Sequence, residues 1–172
     1  AIKVGLFRKM TADVLSELPS LENVGLQDVG VADEFLRKLS VLQNLQSLVV
    51  AGKRDTGFIT NAGMKHLAKL KKLDRLALSG TELSDDAGDS LAQLSNLMWL
   101  SMDSSGMTDE GIAKLSVLKK LKFLDISAPG KKVQKLTFSG ISRLNDLPEL
   151  IELWYGTRKP APDEKGLDFS IF

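Results

Sequence analysis

The chain has 172 residues, 23 basic and 22 acidic side chains for a formal net charge of +1, and 43% hydrophobic content. That balance describes a folded globular protein, excludes a disordered or fibrous one, and makes no demand for a polyanionic partner. The absence of cysteine and the single histidine, His66, exclude disulfides, iron–sulfur clusters, thiolate zinc sites and a cysteine nucleophile, and disfavour histidine-rich metal chemistry.

No apolar run approaches the roughly 18–20 residues of a membrane span, so a soluble protein without membrane insertion is expected. The sequence opens at Ala1 with no initiator methionine and no charged-then-apolar leader. Two readings stay open: an exported protein whose signal peptide was removed, or a segment of a longer chain.

Along the chain a unit Leu-x-x-Leu-x-Leu, or its aliphatic equivalent, recurs. A degenerate copy at Ala1, Val4 and Leu6 is followed by Leu21-Val24-Leu26, Leu45-Leu48-Val50, Leu73-Leu76-Leu78, Leu97-Leu100-Met102, Leu121-Leu124-Ile126 and Leu150-Leu153-Tyr155. First positions lie 20, 24, 28, 24, 24 and 29 residues apart. Alternation within the unit predicts a strand with its leucines on one face. A second pattern of helical spacing follows each strand, as in Met64-Leu67-Leu70, Ile112-Leu115-Leu118-Leu121 and Ile141-Leu144-Leu147. Thr108 and Asp109, with Thr60-Asn61 and Ser84-Asp85-Asp86 at the equivalent places, are expected to cap these short helices.

Strand then helix, repeated with right-handed connections, predicts an α/β solenoid. A parallel sheet of about seven strands lines the concave side of this horseshoe and short helices line the convex side. The expected organisation is one domain over 1–172: a degenerate repeat or cap at 1–20, repeats over 21–155, and a C-terminal cap over 156–172. In the last segment, Pro160 and Pro162 mark a loop and Leu167-Asp168-Phe169-Ser170-Ile171-Phe172 alternates as a strand does. It is expected to fold back over the final repeat, with an incomplete repeat as the alternative. At the start, Phe7 and Met10 are expected to cover leucines.

On these residues the chain resembles the leucine-rich repeat proteins, over 21–155. The stretches 78–88 and 107–112, with a Thr-Asp-x-Gly turn leading into the helix, are similar to repeats of about 24 residues abundant in bacterial proteins. The asparagine common after the strand in that family is replaced here by Val29, Thr81 and Ser105. Thr81 and Ser105 retain hydrogen-bonding capacity and Val29 does not, so a continuous asparagine ladder is not expected. The resemblance implies a scaffold for protein–protein interaction rather than an enzyme.

Two repeats exceed 24 residues, and alignment places the extra stretches just after the strand, around Lys53-Arg54 and Lys131-Lys132. Insertions of this kind form loops on one side of a solenoid, often the binding side. Between the strand leucines, the concave face reads Lys3-Gly5-Phe7, Asn23-Gly25-Gln27, Ser47-Val49-Ala51, Arg75-Ala77-Ser79, Trp99-Ser101-Asp103, Phe123-Asp125-Ser127 and Glu152-Trp154-Gly156. Trp99 and Phe123 fall in one row on adjacent strands, with Trp154 one register step away. Aromatic residues are only 6% of the chain, so three large rings in the C-terminal half single out a candidate partner-binding surface. Arg75, Asp103, Asp125 and Glu152 are expected to form its charged rim, with Lys53, Arg54, Lys131 and Lys132 at its edge. The competing expectation is that the rings stack on one another or lie under the C-terminal tail.

No phosphate-binding glycine loop, zinc-protease helix, serine-hydrolase elbow or kinase signature is present. Asp103 and Asp125 facing one another would be a weak acid–base signal, and Asp85, Asp86 and Asp89 lack the spacing of a calcium loop. His66 reads as a partly exposed surface residue. Neither a cofactor, a metal nor a catalytic group is expected. Lys71-Lys72 and Lys119-Lys120, beside Lys122, predict a basic ridge, but without interleaved aromatics nucleic acid is a weak prospect. The reading is a non-enzymatic module binding a protein partner through its concave face. The alternatives are a glycan or small-ligand binder stacking sugars on Trp99 and Trp154, and a structural or regulatory segment of a larger protein.

Overall fold

The computed structural model describes residues 2–4, 12–29, 32–52, 59–79, 81–102, 106–129, 136–155 and 157–158. Phe7, Met10 and the tail 159–172 lie outside them. Seven strands form one parallel sheet: β1 (Ile2–Val4), β2 (Leu21–Val29), β3 (Ser47–Gly52), β5 (Arg75–Ser79), β7 (Trp99–Met102), β8 (Phe123–Asp125) and β10 (Glu152–Trp154), in that spatial order. Two small bridges sit beyond the strands. One pairs β4 (Ile59–Thr60) with β6 (Thr81–Glu82), and the other pairs β9 (Ala128–Pro129) with β11 (Thr157–Arg158).

The return path of each repeat is a short helix: α1 (Ala12–Ser16), α2 (Asp33–Leu39), α3 (Asn61–Leu67), α4 (Asp86–Leu91), α5 (Asp109–Ala113) and α6 (Phe138–Ser142). α5 and α6 run on into single 3-10 turns at Lys114–Val117 and Arg143–Asp146. The expected helix through Ile112, Leu115 and Leu118 is therefore an α-turn tightening into a 3-10 turn. Helices this short are marginal alone and persist because one face is packed. No helix of the described residues is long and apolar enough to cross a membrane.

The core is the repeat itself. Leu21, Leu45, Leu73, Leu97 and Leu121, the first leucines of successive copies, are fully buried. So are Leu48, Leu76, Leu100 and Leu124, three residues further along each copy. From the helical side Met64, Leu67, Leu70, Ile112, Leu115 and Leu118 close against them. Each such side chain contributes about 1.5–3 kcal/mol of transfer free energy, which a lone repeat could not collect in full because its leucines also pack against the neighbouring repeats.

Register is fixed where each strand begins. Gln46 N–H donates to Glu22 O, Asp74 N–H to Gln46 O, Met98 N–H to Asp74 O, Lys122 N–H to Met98 O and Ile151 N–H to Lys122 O, all at 2.7–2.9 Å. This continuous spine sets the concave rows in line, so the side chains facing one another follow from the repeat spacing.

The convex side carries a second, polar set of links, and here one expectation is corrected. Thr108 caps its own helix, its Oγ accepting from Glu110 N–H. Asp109 and Asp85 do not cap theirs. The Asp85 carboxylate reaches into the following repeat and accepts from Thr108 N–H at 2.7 Å, Thr108 Oγ at 2.8 Å and Gly111 N–H at 3.0 Å. Asp109 receives Thr137 N–H and Oγ, and Asp33 receives Thr60 N–H and Oγ. Asn61 takes the same role toward Ser84, accepting from its N–H and donating to its Oγ.

The carboxylate thus meets the partial positive charge of the next helix rather than its own. The glycine three residues after each threonine makes room for it. A Cβ on Gly63, Gly111 or Gly140 would collide with the Asp33, Asp85 or Asp109 carboxylate respectively. The Thr-Asp-x-Gly turn therefore encodes the fit between repeats. Thr81 is buried within the β4–β6 bridge. Ser105 and the Val29 side chain lie outside the described residues.

Candidate functional site

Strand pairing sets Arg75 opposite Trp99, Trp99 opposite Phe123, and Phe123 opposite Glu152. Trp154 lies opposite Asp125, one step further along. Neighbouring strands sit about 4.8 Å apart, which is near the stacking distance of aromatic rings. Trp99 and Phe123 are stacked accordingly, with centroids 4.7 Å apart and planes 6° from parallel. Trp154 tilts against Phe123 at 6.2 Å and 53°. The Arg75 guanidinium lies over the Trp99 ring, 4.9 Å from its centroid.

The order of the strands decides what this row presents. Arg75 on β5 and Phe123 on β8 flank Trp99 on β7 from opposite sides. Both flat faces of Trp99 are therefore taken, one by a cation and the other by a ring. The rings stand on edge and are half-buried, while Trp154 is 40% exposed. Its indole N–H donates to Glu152 Oε1 at 2.5 Å, which fixes both side chains. Stacking and the cation–π contact, about 0.5–1.5 kcal/mol each, hold the row in place before anything binds.

Asp125 was expected on the charged rim, and the structure corrects this. It is only 7% exposed, and Oδ1 accepts from Ser127 N–H at 3.0 Å and Ser127 Oγ at 2.6 Å. Ser101 Oγ donates to Oδ2 at 3.3 Å from the adjacent strand. A carboxylate so enclosed bridges two repeats instead of meeting solvent. From β3 to β8 the same row is closed, with Val49, Ala77 and Ser101 buried beside Asp125. What the concave face offers is the neighbouring row of long side chains, Arg75, Trp99, Phe123 and Glu152, together with Trp154. Asp103, Lys53, Arg54, Lys131 and Lys132 lie outside the described residues, and with Asp103 so does the suggested carboxylate pair.

The basic ridge also changes character. Lys72 Nζ donates to Asn44 Oδ1 and Lys120 Nζ to Asn96 Oδ1, each spanning one repeat. Lys71 reaches Gln93 O and Lys119 reaches Asp146 O, while Lys122 pairs with Glu149 at 3.6 Å. In turn Asn44 and Asn96 donate to Pro19 O and Lys71 O. These residues satisfy backbone carbonyls left over at the turns, so the ridge is inter-repeat stitching more than an anion-binding surface. The alternation Asn44, Lys72, Asn96, Lys120 was the sequence signal for it.

No group of three His, Asp or Glu side chains fit to hold a metal occurs among the described residues. Asp85 is spent on Thr108 and Gly111, and Asp89 pairs with Lys114 at 2.9 Å. His66 is half-buried on α3, between Met64 and Leu67 in the core. Three framework aspartates depart from the ordinary range, one upward and two downward. Burial raises Asp74. Burial also opposes ionisation of Asp85, but the hydrogen bonds from Thr108 and Gly111, helped by Lys114, hold it below the usual value. Asp109 is lowered by Thr137 in the same manner. All three belong to the framework.

No protein-family model and no curated protein matches the chain. Among solved structures, an internalin from Listeria monocytogenes is similar over 81% of the chain, with a TM-score of 0.53 and 20% identity. A plant peptide hormone receptor, solved in complex with RGF2, is similar over 86% with a TM-score of 0.50 and 16% identity. The chain spans 36% of the internalin chain and 26% of the receptor chain. At these identities the likeness is one of fold, and the fold of this chain is the leucine-rich repeat solenoid.

Proposed function

We propose that the chain is a non-enzymatic recognition module that binds a protein partner through the C-terminal half of its concave face. Its repeats are of the bacterial type that the Thr-Asp-x-Gly turn resembles. The observation that carries the reading is the row Arg75, Trp99 and Phe123 with Trp154 tilted against it. It is an apolar strip on a rigid sheet, flanked by Arg75 at one end and Glu152 at the other. Rings already stacked lose little further freedom on binding, so a partner that desolvates their edges keeps most of the gain. A plant peptide hormone receptor of similar fold, solved in complex with RGF2, supports a protein or peptide as the kind of partner.

The same geometry argues against a sugar on Trp99. A pyranose stacks on an open ring face, and Trp99 has neither of its faces open. By their positions in the sequence, Asp103, Lys53, Arg54, Lys131 and Lys132 are included in the proposed surface. The test compares wild type with Trp99→Ser/Phe123→Ser, both checked for folding by circular dichroism. A partner isolated with the wild-type protein is expected to bind the double variant at least about tenfold more weakly, as loss of two interface aromatics implies. Undiminished affinity removes the concave row from the reading.

A further inference from the structure

The lip of the concave face, where each strand begins, changes character between β5 and β7. From Leu21 onward, the residue after the first leucine of each copy is Glu22, Gln46, Asp74, Met98, Lys122 and Ile151. The spine of backbone hydrogen bonds runs through these residues and sets them in one row. The first three are polar and Lys122 is charged. Met98 and Ile151 are apolar, and yet they are 38% and 84% exposed.

Neither side chain serves the core, which Leu97, Leu100, Leu121 and Leu124 already close beneath them. A single exposed apolar residue needs no explanation, but these two adjoin the aromatic row. Met98 precedes Trp99 on β7, Lys122 precedes Phe123 on β8, and Ile151 precedes Glu152 on β10. The Lys122 ammonium is paired with Glu149 at 3.6 Å, so no unpaired charge stands between the two apolar side chains. From β7 to β10 the apolar surface is therefore two rows deep. Met98 and Ile151 run along the lip, Trp99 and Phe123 stand behind them, and Trp154 lies one step further in.

We propose that this two-row surface docks an amphipathic α-helix of a protein partner, laid across β7, β8 and β10. The inference rests on the reading that the aromatic row binds a protein. Spacing selects the helix. Adjacent strands repeat every ~4.8 Å, so footholds on β7, β8 and β10 recur at that step and at about 9.6 Å. Along a helix, residues i, i+3 and i+7 share one face at advances of about 4.5 and 10.5 Å. An extended segment advances about 6.8 and 13.6 Å between same-face residues, which is out of step with the strands.

Width agrees as well. Ile151 and Trp154 are three residues apart along β10, about 10 Å, which is the breadth of a helix with its side chains. A helix is also the element that ordinarily covers each face of a parallel sheet, and among the described residues α1 to α6 cover only the convex one.

Affinity selection on the full chain, with a display library of random linear peptides of about 16 residues as the probe, tests the proposal. Selected peptides are expected to carry apolar residues at i, i+3 or i+4, and i+7, and to gain helical circular dichroism on binding. Their affinity is expected to fall about tenfold or more for Trp99→Ser/Phe123→Ser and about 3- to 10-fold for Met98→Ser/Ile151→Ser. Met98→Leu/Ile151→Val, which keeps the lip apolar, is expected to retain it. A thermal melt of each variant checks that it is folded. Peptides that need the aromatic pair but bind the Met98→Ser/Ile151→Ser variant undiminished overturn the proposal and leave the aromatic row as the binding site. So do peptides that need the aromatic pair but show no helical signal. A library without binders overturns the helix, and peptides indifferent to the aromatic pair overturn both the helix and the reading beneath it.

Discussion

Four aspartates of this chain have three different fates, each decided by what surrounds the carboxylate. Asp85 and Asp109 are held ionised by the next helix, Asp125 is enclosed by two serines, and Asp74 is desolvated beside Arg75. Because burial raises Asp74, its ionised form at neutral pH opposes folding. Asp74→Asn keeps the shape and removes the charge, so a rise in Tm of about 1–4 °C at pH 7 is expected in a thermal melt. A fall would show the charge to be favourable. Gly111→Ala brings a Cβ to 2.9 Å from Asp85 Cα, so backbone must shift. It is expected to destabilise by about 1–3 kcal/mol in urea unfolding, as over-packing at a hydrogen-bonded site does. Thr, Asp and Gly were legible at their spacing. The destination of the carboxylate was not, because helix propensity describes one helix and this bond joins residues 23 to 28 apart.

At the scale of the element, each strand and helix is too short to stand alone, and links between repeats supply what length does not. The polar ladder on the convex side adds a pH dependence to that linkage. Asp85 and Asp109 have lowered folded-state values, so their contribution is fully present above the ordinary aspartate range, about 3.9, and fades as pH falls through the lower folded value. The urea midpoint is accordingly expected to fall between pH 5 and pH 3, and to fall less in Asp85→Asn/Asp109→Asn. An equal fall in both proteins would assign the acid sensitivity to other groups. The strands and the leucine rows were readable from period and spacing alone, since burial of one face demands them. The role of the lysines was not: Lys71, Lys72, Lys119 and Lys120 read as a charged ridge because a sequence shows charge without showing the turn carbonyls and asparagine side chains within reach.

For the whole molecule, stacking produces a rigid sheet whose rows are set by the spine of hydrogen bonds at the strand starts. The repeat spacing places Trp99, Phe123 and Trp154 together, and so the aromatic row could be read in advance. Its presentation could not, because ring orientation depends on Arg75 and Phe123 closing both faces of Trp99. The closed central row, with Asp125 inside it, escaped for the same reason: alternation tells which face a residue points to and leaves open how deeply its neighbours cover it. The central claim is that recognition rests on this row rather than on the convex helices or the lysine turns. Its most direct measurement is the affinity of a partner captured with the wild-type chain, determined for Trp99→Ser/Phe123→Ser and for Lys71→Ser/Lys119→Ser, each shown to be folded. The account predicts a loss of about tenfold or more for the aromatic pair and little change for the lysine pair. The reverse order would contradict it.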